Sequence, residues 1–137
     1  MERLGSSLQL AGLTSDALEQ ETGIKERRMW PTGTTVVQAA TWAAEKALDA
    51  SGIPRNHVGV ICSTSVYRDY LEPSMAVCVQ QQLGLPSSCT NFDVTNACVG
   101  MMNGMLVVAG MIEAGVCEYG LVVCAESLQM YAVVNAM

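Results

Sequence analysis

Apolar positions along this 137-residue chain alternate between a helical period and short runs rich in branched side chains. Between Thr35 and Ala50 they recur every three or four residues, which predicts a helix that Gly52 and Pro54 bring to an end. Three short apolar runs are typical of strands: Val58 to Cys62, Thr90 to Val94 and Tyr119 to Cys124. No linker or repeat interrupts the alternation, so the pattern predicts one α/β unit.

Two further helices are predicted on either side of the first strand. Residues 3–20 are helical in part, with Ser15 or Asp16 able to cap a second segment that ends at Gly23. Residues 73–83 are predicted to form the other helix, which begins with a proline. Proline is favoured at the first position of a helix because the amide of that residue has no partner within the helix.

The segment from Cys98 to Ala114 is predicted to be a helix with apolar residues on nearly every side. We expect such a helix at the centre of the fold, enclosed by other elements. Gly100 and Gly104 lie on one of its faces and would let another backbone approach closely. Because a glycine inside a helix costs roughly 1 kcal/mol relative to alanine, close packing explains them better than mere tolerance does.

Charge, hydrophobicity and cysteine spacing limit what this chain is expected to bind and where it is expected to be located. The net charge of −6 and the pI near 4.5 argue against nucleic-acid binding, which needs a clustered basic face. No apolar signal-peptide core is visible, and the most apolar run, residues 97–112, is too short and too interrupted for a membrane span of about 20 residues. The six cysteines have no metal-ligand spacing, so we expect no metal and a reducing, cytoplasmic compartment.

The balance of apolar and charged residues indicates that more protein covers this chain. Apolar residues make up 50% of it and charged residues 15%. The charged share of soluble domains averages about 25%. We therefore expect the chain to be part of a larger protein and to aggregate when it is isolated.

Cys98 is the candidate nucleophile. It lies where the strand Thr90 to Val94 meets the next helix, and a helix N-terminus favours the reactive thiolate form of a cysteine. Strand-to-helix junctions are also where α/β proteins present catalytic side chains. The alternative is a buried structural cysteine. The single histidine, His57, precedes a strand and is interpreted as a surface residue, so Cys98 has no imidazole partner within this chain.

The segment Asp93-Val-Thr-Asn-Ala-Cys98-Val-Gly100 resembles the nucleophile segment of the ketoacyl-ACP synthase III branch of the thiolase superfamily. Four more segments occur in that family's order and spacing: Thr22 to Arg28, Gly59 to Val66, Leu83 to Pro86 and Gly120 to Glu126. Within the family, residues 68–74 and 96–104 look most like the OleA-type enzymes of long-chain olefin biosynthesis. Those enzymes join two fatty acyl-CoA molecules head to head.

The resemblance implies a fold and an assembly. Residues 1–137 would be the N-terminal half of a thiolase-like α/β enzyme, with a buried mixed sheet, helices and a central helix that bears the nucleophile. The first strand of that half and the whole C-terminal half, with its catalytic His and Asn, would lie outside the chain. The family also implies a homodimer.

Glu72 and a basic cluster are further candidate residues. By resemblance, Glu72 would cross the dimer interface and act as the general base in the partner subunit's active site, although a solvated charge before a helix, or Asp69 in the same role, are alternatives. Lys25, Arg27 and Arg28 could contact the phosphates of coenzyme A. A solvated loop, or ion pairs with glutamates 21 and 26, would explain them equally well.

The resemblance implies a condensation reaction. Cys98 would attack an acyl-CoA thioester, with its own amide as one oxyanion donor, and a second acyl-CoA would then be deprotonated and attack the acyl-enzyme to give a β-keto acid. Coenzyme A thioesters would be substrates, with no permanently bound cofactor. One alternative is the decarboxylative condensation of acyl-CoA with malonyl-ACP. The other is a non-catalytic remnant that only dimerises.

Overall fold

The computed structural model describes residue 12 and residues 14–26 and 28–127, in two compact units, Met1–Pro31 and Thr32–Met137. In the first unit, helix α1 (Ser15–Thr22) begins after Thr14, whose hydroxyl accepts the Ala17 amide, and ends at Gly23 with φ 71°. The predicted end is confirmed, but the predicted cap is wrong, because Ser15 is already helical whereas Thr14 keeps the extended backbone that a cap requires. The helical segment predicted before residue 12 lies outside the described residues.

The second unit is built on three parallel strands, β1 (Val58–Ser63), β2 (Thr90–Asp93) and β3 (Tyr119–Val123), in the order β2-β1-β3. All three were predicted to within one residue. The predicted mixed sheet is not what the described strands form. Each connection between them contains a helix that returns the chain to the same edge of the sheet, which makes neighbouring strands parallel.

Helices α2 (Val36–Ser51), α3 (Met75–Leu83) and α4 (Gly100–Glu113) complete this unit, together with 3₁₀ turns at Arg55–His57 and Ala97–Val99. The capping box at the start of α2 is reciprocal. The Thr35 hydroxyl accepts the Gln38 amide, and the Gln38 side chain accepts the Thr35 amide. The bounds of α2 agree with the sequence prediction to within one residue.

Helix α3 begins two residues later than predicted. Its first turn is fixed by the Ser74 hydroxyl, which accepts the Val77 amide, and by the Asp93 carboxylate, which accepts the amides of Met75 and Ala76 at 2.9 Å each. These side-chain acceptors satisfy the free amides of the turn, so Ser74 is the cap. The preceding proline is joined to Glu72 by a cis peptide bond and lies outside the helix.

The sheet separates two apolar layers. On one face, α2 and α3 pack against alternate residues of the strands, with Ile61 and Met75 among the most buried side chains. On the other face, Val60 and Cys62 pack against Val108 of α4. Strand β1 is therefore covered on both sides, as its continuous apolar sequence predicts.

Helix α4 lies very close to the sheet through its glycines. A Cβ atom on Gly100 would come within 3.1 Å of the Thr64 carbonyl oxygen, and one on Gly104 would come within 2.5 Å of the Thr64 methyl group. The predicted packing role of these two glycines is confirmed. Gly110, further along the same helix, has open space around it among the described residues.

The prediction that α4 is enclosed on all sides is wrong for the described residues. Only Gly100, Gly104 and Val108 are buried, all on the face toward the sheet. The rest of the helix exposes large apolar side chains: Met101, Met102, Met105, Leu106, Val107 and Ile112. One sheet covers one face of a helix, and the described residues place no second layer over the other face.

Candidate active site

The carboxyl ends of the three strands meet at one edge of the sheet, because the strands are parallel. Hydrogen bonds extend the ladder past the strand ends: the Thr64 amide donates to the Val123 carbonyl at 2.8 Å, and the Val94 amide donates to the Ser63 carbonyl at 2.9 Å. Ligands of open α/β sheets bind at this edge. The residues that follow each strand therefore form the candidate site.

Cys98 lies on this edge, in the 3₁₀ turn Ala97–Val99 between β2 and α4, and its side chain is exposed. The turn is closed by the Val99 amide, which donates to the Asn96 carbonyl at 3.0 Å. The Asn96 side chain is in turn hydrogen-bonded to Asn103 of α4 at 2.7 Å. The predicted location of Cys98 at a strand-to-helix junction is confirmed, and the alternative of a buried cysteine does not apply to the described residues.

Ala97 has a backbone conformation that few residues adopt. Its φ of 43° is the only positive value among the described residues other than glycine. A non-glycine residue with positive φ is strained, and such strain occurs preferentially at functional sites. This conformation could not be predicted from the sequence, because alanine has no preference for the left-handed region.

Two backbone amides in the turn that carries the thiol have no acceptor among the described residues. Within the described part of the chain, the amides of Ala97 and Cys98 donate no hydrogen bond. Both residues lie directly before the N-terminus of α4, where the helix dipole adds a partial positive charge. Amides so placed are suited to stabilising a developing oxyanion.

The remaining cysteines differ from Cys98. Burial, reinforced by the nearby Asp93 carboxylate, raises the pKa of Cys62 to about 11. Burial also raises the pKa values of Cys78 and Cys89. Cys62 is buried at the end of the first predicted strand, whereas Cys124, the last residue of the third predicted strand, is exposed because β3 ends one residue earlier.

Glu72 is exposed on the segment between β1 and α3, residues 64–74, which we call the Glu72 loop. Its carboxylate makes no hydrogen bond or ion pair with the described residues. Asp69, the alternative base in the same loop, is engaged: its two oxygens accept the amides of Val36 and Val37 at 3.0 and 2.7 Å. A carboxylate that caps a helix through both oxygens is poorly placed to take a proton from a substrate, so the geometry favours Glu72.

Three charged side chains at this edge were not singled out from the sequence. Asp93 holds the start of α3, as described above. Glu126 follows β3 and accepts the amides of Val66 and Tyr67 in the Glu72 loop. Arg68 donates to the Thr95 hydroxyl at 2.6 Å. The one available signal was their position at the end of a strand or in the loop that follows one.

The basic cluster lies in the first unit. Lys25 is 4.0 Å from Glu19, rather than paired with either of the two glutamates considered from the sequence, because Glu19 is on the last turn of α1 that precedes this loop. Arg28 is exposed. Arg27 lies outside the described residues. Two candidate cofactor contacts are therefore located, both outside the unit that carries Cys98.

His57 lies at the opposite, amino edge of the sheet. It is exposed, 3.7 Å from the Glu118 carboxylate and near the Tyr119 ring. The interpretation of His57 as a surface residue is confirmed. Within residues 12, 14–26 and 28–127, no three His, Cys, Asp or Glu side chains are grouped as metal ligands, and no helix is long and apolar enough to span a membrane.

Comparisons with known proteins agree with this geometry. Residues 92–135 match the family model of 3-oxoacyl-[acyl-carrier-protein] synthase III. The chain is 42% identical over 129 residues to acyl-CoA:acyl-CoA alkyltransferase of Xanthomonas campestris, covering 94% of the chain and 38% of that protein. It is 37% identical over 116 residues to a β-ketoacyl-ACP synthase III of Vibrio parahaemolyticus, covering 84% of the chain and 36% of that protein.

A solved structure extends the comparison to the fold. The chain superimposes on acetamide-bound Xanthomonas campestris OleA with a TM-score of 0.83 and 42% identity, covering 94% of the chain and 40% of that structure. The chain thus spans about two fifths of the length of the relatives it matches. In sequence and in fold, it belongs to the ketoacyl-ACP synthase III branch of the thiolase superfamily, a group of acyl-transferring enzymes.

Proposed function

We propose that the native protein carrying this chain joins two fatty acyl-CoA thioesters into a β-keto acid through an acyl intermediate on Cys98. The observation that carries the proposal is the exposed Cys98 thiol, held on a strained turn beside two free amides. The match to an acyl-CoA:acyl-CoA alkyltransferase supports the choice of substrates.

The first half-reaction is acyl transfer. The Cys98 thiolate attacks the carbonyl carbon of an acyl-CoA, a carbon–sulfur bond forms, and coenzyme A leaves as its thiol after taking up a proton. The amides of Ala97 and Cys98 stabilise the negative charge on the carbonyl oxygen while the intermediate is tetrahedral. The family's His and Asn, which lie outside this chain, would handle the proton.

The second half-reaction is condensation. Glu72 removes a proton from the α-carbon of a second acyl-CoA, and the resulting carbanion attacks the acyl group on Cys98. A carbon–carbon bond forms and the Cys98 thiolate is released. Hydrolysis of the resulting β-ketoacyl-CoA by water then yields the β-keto acid and coenzyme A.

Glu72 acts in the active site of a partner subunit in this proposal. The tip of the Glu72 loop exposes apolar surface, with Leu71 84% and Tyr70 53% exposed. Apolar side chains at such a tip are expected to be covered in the assembled protein. A homodimer would cover them and bring Glu72 to the partner's nucleophile.

The basic cluster would bind the phosphates of coenzyme A. The Lys25 side chain is 81% exposed and its contact with Glu19 is long, so its ammonium group is accessible. Arg28 is also exposed, and Arg27 would complete the cluster. Cationic side chains of this kind are common phosphate ligands. The expected location of the enzyme is the cytoplasm.

The second candidate function is the decarboxylative condensation of an acyl-CoA with malonyl-ACP. It is favoured by the family model and by the ketoacyl-ACP synthase III relatives. In this reaction the loss of carbon dioxide generates the carbanion, so no carboxylate base is needed. The role of Glu72 therefore distinguishes the two functions.

The test separates the two half-reactions in the native protein. With a long-chain acyl-CoA, mass spectrometry should find one acyl group on Cys98, and the C98A variant should have none. The E72Q variant should acylate normally but form no β-keto acid. Normal product formation by E72Q, with malonyl-ACP as the preferred second substrate, would favour the decarboxylative reaction. Absence of acylation at Cys98 would favour a non-catalytic remnant.

Mixing inactive subunits tests the role in trans. A heterodimer of C98A and E72Q subunits has one site in which an intact Cys98 faces an intact Glu72. Random mixing of a two-fold dimer should restore about a quarter of the wild-type activity. No recovery in a mixture with proven heterodimers would reject a contribution of Glu72 across the interface.

A further inference from the structure

The flanks of the Glu72 loop are fixed to the rest of the sheet edge. In the N-terminal part of the loop, the amides of Val66 and Tyr67 donate to the two carboxylate oxygens of Glu126, at 2.5 and 3.0 Å. One residue away, the Ala125 amide donates to the Ser65 hydroxyl at 3.0 Å. The segment after β3 therefore holds the start of the loop through three hydrogen bonds.

The middle of the loop is fixed to two other elements. Asp69 accepts two amides at the start of α2, and Arg68 donates to Thr95, three residues before Cys98. Hydrogen bonds that involve an ionised group are shorter and stronger than neutral ones. These contacts tie the loop to both neighbouring connections at the carboxyl edge.

The tip of the loop contrasts with its flanks. Tyr70, Leu71 and Glu72 are exposed, and the Glu72 carboxylate has no side-chain or backbone partner among the described residues. The direction in which the tip projects is therefore set by the contacts at residues 65–69. Of those contacts, the pair made by Glu126 is the one in which a side chain from another part of the chain accepts two consecutive backbone amides of the loop itself.

We propose that Glu126 is a positioning residue for Glu72: by holding the amides of Val66 and Tyr67, it orients the loop that presents the Glu72 carboxylate to the substrate's α-carbon. The inference rests on the proposed base role of Glu72. Glu126 itself touches no reacting atom. Its replacement should therefore impair condensation, which uses Glu72, and not acyl transfer to Cys98.

The test is E126Q in the native protein, which keeps the shape of the side chain but turns one acceptor oxygen into an amino group facing an amide. Condensation should fall roughly 10- to 100-fold, the range expected for a misplaced catalytic group, while the rate of Cys98 acylation stays within about twofold. The matched control is E113Q, the same change at an exposed position at the end of α4. It should leave both rates unchanged.

A double variant adds a readout that a purely structural role would not move. E72D keeps a carboxylate but displaces it by one methylene, so its residual condensation can be measured. Because the base is already misplaced in that background, E126Q should cause a smaller loss of condensation in E72D than in the wild type. Equal losses of acylation and condensation in E126Q would overturn the inference, as would unchanged condensation or additive losses in the double variant. If E126Q does not fold, D69N applies the same criteria to the second anchor of the loop.

The two proposals can fail separately. If E72Q itself condenses normally, the base role is rejected and the positioning role falls with it. If E72Q stops condensation while E126Q and D69N condense at the wild-type rate, the base role stands and only the positioning role is rejected.

Discussion

The two edges of the sheet are built differently. At the carboxyl edge, Asp69, Asp93 and Glu126 each accept two consecutive backbone amides through both carboxylate oxygens. At the amino edge, the corresponding side-chain contact among the described residues is one exposed pair, His57 with Glu118, 3.7 Å apart. Paired hydrogen bonds to the backbone fix the path of the chain, whereas an exposed side-chain pair contributes little stability and leaves the backbone free.

The difference indicates where this fold requires precise loops. Only at the carboxyl edge does a described residue other than glycine adopt a positive φ, and only there are amides left free beside an exposed thiol. The amino edge is closed by short turns and by apolar contact. For example, a Cβ atom on Gly59 would come within 2.5 Å of the Cys117 side chain.

The largest expected effect is a difference in reactivity between two cysteines. Cys98 is exposed at the carboxyl edge, whereas Cys62 is fully buried and its pKa is raised to about 11. The raised pKa leaves the Cys62 thiol protonated at pH 7 and burial shields it from the reagent, so iodoacetamide should label Cys98 on the order of a hundredfold faster or more. Because the raised pKa keeps Cys62 neutral, its labelling rate should continue to increase above pH 9.

Peptide mass spectrometry over a time course measures both rates in the native protein. The C98A variant is the control and should leave the slow labelling of Cys62 unchanged. Equal rates for the two cysteines at pH 7 would contradict the assignment of Cys98 as the reactive thiol.

The second effect is the loss of stability on removing a carboxylate anchor. In D93N, one acceptor becomes an amino group that faces the amides of Met75 and Ala76. Since a hydrogen bond to a charged group contributes about 1.5–3 kcal/mol, the free energy of unfolding should fall by roughly 2–4 kcal/mol. Denaturant unfolding of the native protein measures it. The D49N variant, on the exposed face of α2, should change it by less than about 0.5 kcal/mol.

Much of this architecture could be predicted from the sequence, because it depends on local patterns. The apolar periods located α2 and the three strands, and the match around Cys98 identified its turn. The anchors could not be predicted in the same way. Asp69 meets α2 more than 30 residues earlier in the chain, and Glu126 meets the Glu72 loop about 60 residues earlier. Contacts over such separations depend on the topology of the sheet.

Errors at the ends of elements have the same origin. The proline in the predicted first position of α3 suggested an earlier start, but the Asp93 carboxylate from the neighbouring strand fixes the helix at Met75. The predicted enclosure of α4 failed because sequence hydrophobicity does not say which part of a protein covers a face. Only the glycine face of α4 is covered by the described residues.

The third prediction compares two glycines of α4 that differ in their surroundings. In G104A the new methyl group would lie 2.5 Å from the Thr64 methyl group, so overpacking should destabilise the protein by about 1–3 kcal/mol. Among the described residues Gly110 has open space around it, and G110A should instead stabilise the helix by up to about 1 kcal/mol. Thermal unfolding of both variants tests the close approach of α4 to the sheet. The same sign for both would show that helix propensity alone decides the outcome.

The smallest expected effect is at the amino edge, where H57Q removes the ionisable partner of Glu118. The pair is exposed, with 48% of the His57 side chain and 69% of the Glu118 side chain accessible, so the stability should change by less than about 0.5 kcal/mol. Because His57 lies at the end of the strand opposite to Cys98, both half-reactions should keep their wild-type rates. Like E126Q, this variant replaces one titratable side chain near a strand end. A comparison of the condensation rates of the two variants therefore shows whether the edge on which the side chain lies decides the effect. A tenfold loss of condensation in H57Q would mean that the amino edge also sets the geometry of the site, and the contrast between the two edges would then not explain where the chemistry takes place.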